Sequence, residues 1–330
     1  MNKSDSERIA SLLEKRGYKL TLKKVEADLI VVNMCSIRQS AVNRIYGLDP
    51  KFKKLKAKNK KLKTVLTGCI LKRDKSKFRK IFDSISYFKD KNRLSVKPKY
   101  QNKLSAFIPI SNGCNNFCTY CVVPYIRGPL VCRNYKEIFK EAKNAIKKGY
   151  KEIWLLGQNV NDYHSPITST ENSVINFPKL FKMIEDIPGN FQIYFISPNP
   201  KDFSDELINV ITNSKKFAKH LNLPVQSGDN KILKRMNRPY TVKQYKDLVK
   251  KIRKKIPDIF LSTDAIVGFP GETEKQFQNS IKLFKEIKFN MAYIAKYSPR
   301  PGTAAFQMKD DVPIKEKKKR EKILRKFLKK

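Results

Sequence analysis

Three things are scarce in this chain: long apolar runs, acidic residues and histidine. No stretch approaches the roughly 18 consecutive apolar residues that a membrane helix needs, which excludes a chain anchored by an apolar helix. The first residues, MNKSDSERIA, are polar and form no apolar signal-peptide region, so a cytoplasmic protein is expected. No repeat is strong enough for a solenoid. The 30 Asp and Glu face 71 Lys and Arg, a formal net charge of +41. A field of that sign favours a polyanion, with RNA or DNA the usual candidate. Lysine far outnumbers arginine and is spread along the whole chain, so a lysine-biased composition describes the charge equally well. The only histidines are His164 and His220. In a reducing cytosol, the six cysteines read as metal ligands or catalytic groups rather than disulfides.

The length of 330 residues allows one to three domains and a sizeable core. Residues 4–16 read as a helix with Ile9, Leu12 and Leu13 on one face and Gly17 as its stop. The apolar run 28–34 reads as a buried strand ending at Cys35, followed by a helix over 36–46. A lysine-rich loop leads to a second strand, 64–67, ending at Gly68-Cys69. Both cysteines thus lie just past the carboxyl ends of strands, where α/β sheets place ligands. Residues 89–103 are polar and basic, carry Pro98, and form a candidate linker.

From residue 105 strand and helix alternate. Strands are expected at 106–110, 152–156, 192–196, 220–223, 260–267 and 292–296, and helices near 134–148, 177–187, 203–213, 228–255 and 273–288. Such βα repetition predicts a parallel sheet. About six units fit an open, partial barrel better than a closed eight-stranded one. Beyond Pro313 the chain is almost wholly Lys, Arg and Glu with Ile323, Leu324, Phe327 and Leu328, an exposed helix or a severed linker.

Cys114, Cys118 and Cys121 form a CxxxCxxC triad just after the first strand of the second region. Thiolates are natural ligands of iron–sulfur clusters, and a triad with no fourth local ligand leaves one iron open to bind a further molecule. A structural zinc site and redox thiols are the alternatives. Zinc sites usually come as paired CxxC knuckles or with histidine, and neither histidine is near the triad. Gln158-Asn159, Gln226-Ser227 and Gly268-Phe269-Pro270-Gly271-Glu272 also follow strands. They offer amides, a hydroxyl and glycines that admit close approach of a ligand; turn residues ending strands are the plainer reading.

The segment SNGCNNFCTYCVVPYIRG (111–128) resembles the radical S-adenosylmethionine signature of the MiaB-type methylthiotransferases. LLGQNVNDY (155–163), LNLPVQSGDNKILKRMNRPYT (221–241), STDAIVGFPGETE (262–274) and KYSPRPGTAA (296–305) resemble further blocks of that family in the expected order. NMCSIRQSAVNR (33–44) and LTGC (66–69) resemble its N-terminal domain, so the resemblance covers nearly the whole chain.

The resemblance implies an α/β protein: an N-terminal open parallel domain (1–95) and a partial (βα)6 radical domain (96–315). A basic stub (316–330) would stand where the family's small RNA-binding TRAM barrel begins. It implies two [4Fe-4S] clusters and S-adenosylmethionine. The triad cluster would bind the amino and carboxylate groups of S-adenosylmethionine and cleave it to a 5′-deoxyadenosyl radical. An auxiliary cluster on Cys35 and Cys69 would supply sulfur, and a second S-adenosylmethionine would methylate it. Gln158, Asn159, Gln226, Ser227, Gly268, Pro270, Gly271 and Glu272 would line the cofactor. Arg235 and Arg238, beside Tyr240, would touch phosphate or cofactor, or be surface charge. Phe117 and Tyr120 would stack on adenine or pack in the core. The implied partners are tRNA and an electron donor such as flavodoxin or ferredoxin, with a monomeric enzyme and no membrane.

Within the family, the target is C2 of N6-isopentenyladenosine beside the anticodon, a threonylcarbamoyl-adenosine, or an aspartate of a ribosomal protein. Asn116-Phe117, Val122-Val123-Pro124 and the run Gly157-Gln158-Asn159-Val160-Asn161 favour the first. A competing class is a non-catalytic iron–sulfur RNA-binding protein. The family's N-terminal cluster takes three cysteines, the third in a GCxMNxxDSE motif. Residues 1–7 match its MNxxDSE part, so that cysteine, with the domain's first strand, would precede Met1. A start at an internal methionine is the expectation, and true loss of a ligand the alternative. Cys132 reads as a bystander. The chain stops near where a TRAM domain would begin, which weakens the implied affinity for tRNA.

Overall fold

The computed structural model describes residues 1–37, 39–86, 96–100, 102, 104–167 and 174–328. The chain divides into two compact units, one of Met1–Lys103 with Val122–Gly128 and one of Leu104–Cys121 with Pro129–Lys330.

The first unit is built on a parallel sheet of β1 (Leu29–Met34), β2 (Lys63–Gly68) and β3 (Ser84–Ile85), in that order. Its helices are α1 (Asn2–Lys15), α2 (Gln39–Tyr46), α3 (Asp49–Lys58), α4 (Lys75–Phe78) and α5 (Val123–Arg127). Met34, Val42, Ile45, Phe52, Leu66, Phe78 and Phe82 close one core. The register pairs Met34 with Gly68. The two strands therefore end level, and Cys35 and Cys69 leave the sheet side by side. The expected helix at 36–46 begins only at Gln39, because Ser36 is spent on Cys69, whose carbonyl its hydroxyl bonds. The candidate linker at 89–103 lies largely outside the described residues.

The second unit carries β4 (Ser105–Pro109), β7 (Glu152–Leu156) and β10 (Gln192–Phe195) in one parallel sheet, ordered β10-β7-β4. Between β4 and β7 lie the short hairpin of β5 (Ser111–Asn112) and β6 (Val131–Cys132) and helix α6 (Tyr135–Lys147). A second hairpin, β8 (His164–Pro166) with β9 (Val174–Asn176), precedes α7 (Phe177–Glu185). After β10 come α8 (Asp205–Asn213), β11 (His220–Asn222), α9 (Asn230–Arg235), α10 (Val242–Lys255), β12 (Phe260–Val267), α11 (Glu274–Ile287), β13 (Met291–Lys296) and α12 (Ile314–Arg325). β11, β12 and β13 form the second parallel sheet. The chain just before β11 joins the halves: the Ile193 N–H donates to the Lys216 carbonyl, and the Ala218 N–H to the Ile193 carbonyl. Six strands thus follow in sequence order, all parallel, and no ladder among the described residues joins β13 to β4. That is the expected open (βα)6 barrel.

One expectation fails: the helix read over 228–255 is two helices. Asn237 takes a left-handed conformation (φ 54°), Pro239 cannot donate to a helix ladder, and Thr241 starts α10 in a reciprocal capping box with Gln244. The basic segment after Pro313 is a helix rather than a linker, with most of its residues exposed and one face buried. It is α12, which buries Lys317, Arg320 and Leu324 in the second unit.

In the first unit, Asp83 accepts from the Thr64 N–H (2.7 Å) and hydroxyl (2.8 Å) and from Lys56 (2.7 Å). Partial burial disfavours its charge, but these partners outweigh that and hold its pKa down at about 2. A depressed carboxylate pKa stabilises the fold above the unfolded value near 3.9 and loses that contribution as pH falls toward 2. Asp83→Asn is therefore expected to cost roughly 1 kcal/mol at pH 7, discounted for its part-exposed side chain. The difference from wild type should vanish between pH 4 and pH 2 in urea-unfolding titrations.

Candidate cofactor site

Parallel strands in sequence order bring their carboxyl ends to one edge of the second unit. Cys114, Cys118 and Cys121 follow β4, Gln158 and Asn159 follow β7, Gln226 and Ser227 follow β11, and 268–272 follow β12. All six cysteines of the chain are free thiols.

The triad loop is stapled from one side by the turn between α9 and α10. The Thr119 hydroxyl donates to the Arg235 carbonyl (2.8 Å) and the Thr119 N–H to the Met236 carbonyl (3.1 Å). The Asn237 amide donates to the carbonyls of Asn116 and Phe117, both at 3.1 Å. The Ala305 N–H bonds the Thr119 carbonyl (2.8 Å). Phe117 is held with φ 46°, a strained conformation that these bonds maintain. Its ring is about half exposed, whereas Tyr120 packs against the core of Ile232, Met236, Phe269, Tyr297 and Ala305. The split of the expected long helix thus makes the staple.

Two donors face the sulfurs. Asn116 Nδ2 lies 3.4 Å from Cys114 Sγ, and Arg238 Nη1 lies 3.5 Å from Cys118 Sγ. Arg238 is itself fixed by Tyr240 Oη (2.9 Å) and the Pro224 carbonyl (3.2 Å). Burial works against its charge, but Tyr120, Tyr240 and Cys118 around it outweigh that and raise its pKa, so it stays a cation. Burial raises the Cys114 thiol, with the Asn116 groups opposing. Gln158 Oε1 accepts from the Gly113 N–H (2.6 Å), next to Cys114, while its Nε2 is buried without a hydrogen-bond partner. A buried amide N–H with no partner is costly, and here it sits beside the triad.

Among the described residues, no three Cys, His, Asp or Glu side chains converge as they would on a single metal ion. The donor set fits a cluster, whose irons are separate and whose thiolate ligands therefore need not meet at one point.

The other candidate residues are tied into the protein in informative ways. Asn159 is buried and donates to Asp202 (2.8 Å). Gln226 has φ 68° and is held by backbone bonds with Asp264 and Ile266. Gly268 and Gly271 are required on geometric grounds: both have positive φ, and a Cβ would meet Lys317 Cγ at 2.3 Å and Arg235 Nη1 at 2.1 Å, respectively. Close approach at these glycines is thus made by the protein's own cations. Pro270 and Glu272 are buried. Ser197, past the end of β10, has φ 59°. Cys132, in the β5–β6 hairpin, accepts from the His164 N–H of β8 (3.4 Å).

In the first unit, Cys35 and Cys69 are neighbours, and Arg127 bonds both the Cys69 sulfur and Asp5 (2.9 Å). Burial raises the Cys69 thiol pKa, the Cys35 sulfur adds to this, and Arg127 opposes it. Among the described residues no third cysteine, histidine or acid joins the pair. The thiol chemistry of the pair fits two of the ligands of an auxiliary cluster.

The fold, with its cysteine loop at the carboxyl edge, defines a radical S-adenosylmethionine protein. Residues 108–284 match the Radical SAM superfamily, and residues 1–89 match the Uncharacterized protein family UPF0004. Among solved structures, the cobalamin-binding radical methyltransferase TsrM of Kitasatospora setae superposes with a TM-score of 0.63 at 14% identity, covering 92% of this chain and 73% of that one. Among curated proteins, the tRNA-2-methylthio-N(6)-dimethylallyladenosine synthase of Thermoanaerobacter pseudethanolicus is 41% identical over 94% of this chain and 72% of its own length. Its namesakes in Clostridium botulinum (39%; 97% and 77% covered) and Dehalococcoides mccartyi (40%; 98% and 79%) are similarly close. The chain belongs to the tRNA-2-methylthio-N(6)-dimethylallyladenosine synthase family.

Cys118→Ala is expected to abolish the triad cluster's charge-transfer absorbance and to remove its share of the bound iron and sulfide, since two thiolates hold a cluster poorly. Cys132→Ala should leave iron content at the wild-type value. Iron and sulfide analysis after anaerobic reconstitution checks both.

Proposed function

We propose that this chain is a radical S-adenosylmethionine methylthiotransferase that acts at C2 of N6-isopentenyladenosine near the tRNA anticodon. The observation that carries the reading is the stapled triad loop, with Asn116 and Arg238 donating to its sulfurs at the carboxyl edge of a parallel barrel. Cys114, Cys118 and Cys121 would hold the cluster, and Gln158, Asn159, Gln226, Ser227 and the 268–272 loop would line S-adenosylmethionine. Bound there, the two together would supply the power to remove hydrogen from a carbon that no side-chain base deprotonates.

The chain's own residues position and insulate this chemistry. Asn116 and Arg238 offset thiolate charge by hydrogen bonding. The staple from 235–240 fixes the loop, and Gln158 holds its first turn at Gly113. The buried Gln158 Nε2 offers a donor for a ligand's acceptor. The net charge of +41 favours a polyanion, which supports an RNA substrate over a protein aspartate. No helix among the described residues is long and apolar enough to cross a membrane. A cytoplasmic, monomeric enzyme reduced by a flavodoxin or ferredoxin is in keeping with this chemistry.

Cys35 and Cys69 would be ligands of the auxiliary cluster that donates sulfur. The test compares the protein with its Cys35→Ala variant. After reconstitution and reduction with dithionite, both are expected to release 5′-deoxyadenosine from S-adenosylmethionine. Only the wild type should give the methylthio nucleoside from isopentenylated tRNA. No deoxyadenosine from either form would end the enzyme reading; deoxyadenosine without methylthio product from the wild type would end the substrate assignment.

A further inference from the structure

Helix α12 presents Lys317, Arg320 and Leu324, at spacings of three and four, to the second unit, and these residues are 3%, 4% and 0% exposed. Burying two cations on a helix of strongly basic composition is costly unless each is paired, and both are. Arg320 Nη1 donates to the Glu272 carbonyl (2.8 Å) and carboxylate (2.9 Å), and its Nε to Glu316 (3.0 Å). Its guanidinium also lies over the Phe277 ring. Lys317 pairs with Asp310 and sits over the Tyr297 ring, while its methylenes cover Gly268.

These partners converge on one loop, 268–272. The Glu272 carboxylate also accepts from the Gly268 N–H (2.6 Å), closing the loop on itself, and Asp311 accepts from the Gly271 N–H (2.6 Å). On another side the Arg235 guanidinium packs against Gly271. The loop's polar handles are thus taken by the protein, and Glu272 is 3% exposed. Burial raises the Glu272 pKa, while the Gly268 N–H and Arg320 oppose this. Glu272 is therefore turned toward α12.

We propose that α12 is a clamp on the 268–272 loop, and that Arg320 is a positioning residue for S-adenosylmethionine binding, acting through Glu272. The inference rests on the reading that this loop lines the cofactor. Its physical basis is that a loop with two glycines at positive φ is intrinsically loose, and a paired cation on a rigid helix sets its shape. Supporting groups of this kind typically change affinity tenfold or more when removed.

Arg320→Met keeps an unbranched side chain and removes the pairing and the guanidinium over Phe277; Arg320→Lys keeps the charge and loses the two-point geometry. Both variants would be made in the reconstituted full chain. Two readouts are taken: hydrogen exchange of the amides of Gly268 and Gly271, and the dissociation constant of radiolabelled S-adenosylmethionine by anaerobic equilibrium dialysis. Arg320→Met should speed exchange at both amides and weaken binding about tenfold at unchanged iron content, with Arg320→Lys in between. Glu272→Gln combined with Arg320→Met should weaken binding no further than Arg320→Met alone. Unchanged exchange in Arg320→Met would overturn the clamp. Faster exchange with unchanged affinity would overturn the positioning role. Should wild type itself fail to bind S-adenosylmethionine, the cofactor reading falls and the positioning role with it, while the exchange readout still judges the clamp. If Arg320→Met does not fold, Arg320→Lys and Glu272→Gln carry the same two readouts.

Discussion

Parallel pairing in sequence order is the constraint on which the second unit depends. Each strand of a right-handed βα repeat must start at the same edge, so each must also end at the same edge. The loops after β4, β7, β11 and β12 are then neighbours without any long-range contact specifying it. Chemistry-bearing residues spread over roughly half the sequence become one site because the strands are parallel. The first unit obeys the same rule on a smaller scale: β1 and β2 end level, so Cys35 and Cys69 meet.

Around this frame the recurrent device is a paired cation. Arg238 faces Cys118 and is held by Tyr240 and Pro224. Arg127 faces Cys69 and is held by Asp5 and Asn2. Arg320 faces Glu272. A buried guanidinium with a full set of acceptors fixes geometry, and beside a thiolate it also offsets negative charge. In a chain so rich in lysine, these fixed positions fall to arginine, whose planar fork bonds two acceptors at once. The surrounding lysines are mostly exposed and contribute to the long-range field.

Much of this was legible in the sequence because it is periodic or local. The six strands of the barrel were read within one or two residues, since buried parallel strands are short apolar runs. The spacing of Cys114, Cys118 and Cys121 named the cluster loop, and the residues just past strand ends named most of the rest. The break between α9 and α10 was also written locally, in Asn237, Pro239 and Thr241, but the amphipathic pattern on either side concealed it. Helix α12 has the composition of a solvated helix, and its one buried face was not legible. Nothing local says that Lys317 and Arg320 find Asp310 and Glu272.

Periodicity, spacing and ordered motifs along the chain are enough to define the parallel α/β class, the cysteine loop and the family. The roles of the individual polar residues come from packing. It turned Glu272 toward α12, set Arg238 against Cys118, and gave Gly268 and Gly271 to Lys317 and Arg235. The reason is physical: the partner of a charged or positive-φ residue is supplied by a segment tens of residues away, and only the packed fold brings it within hydrogen-bond range.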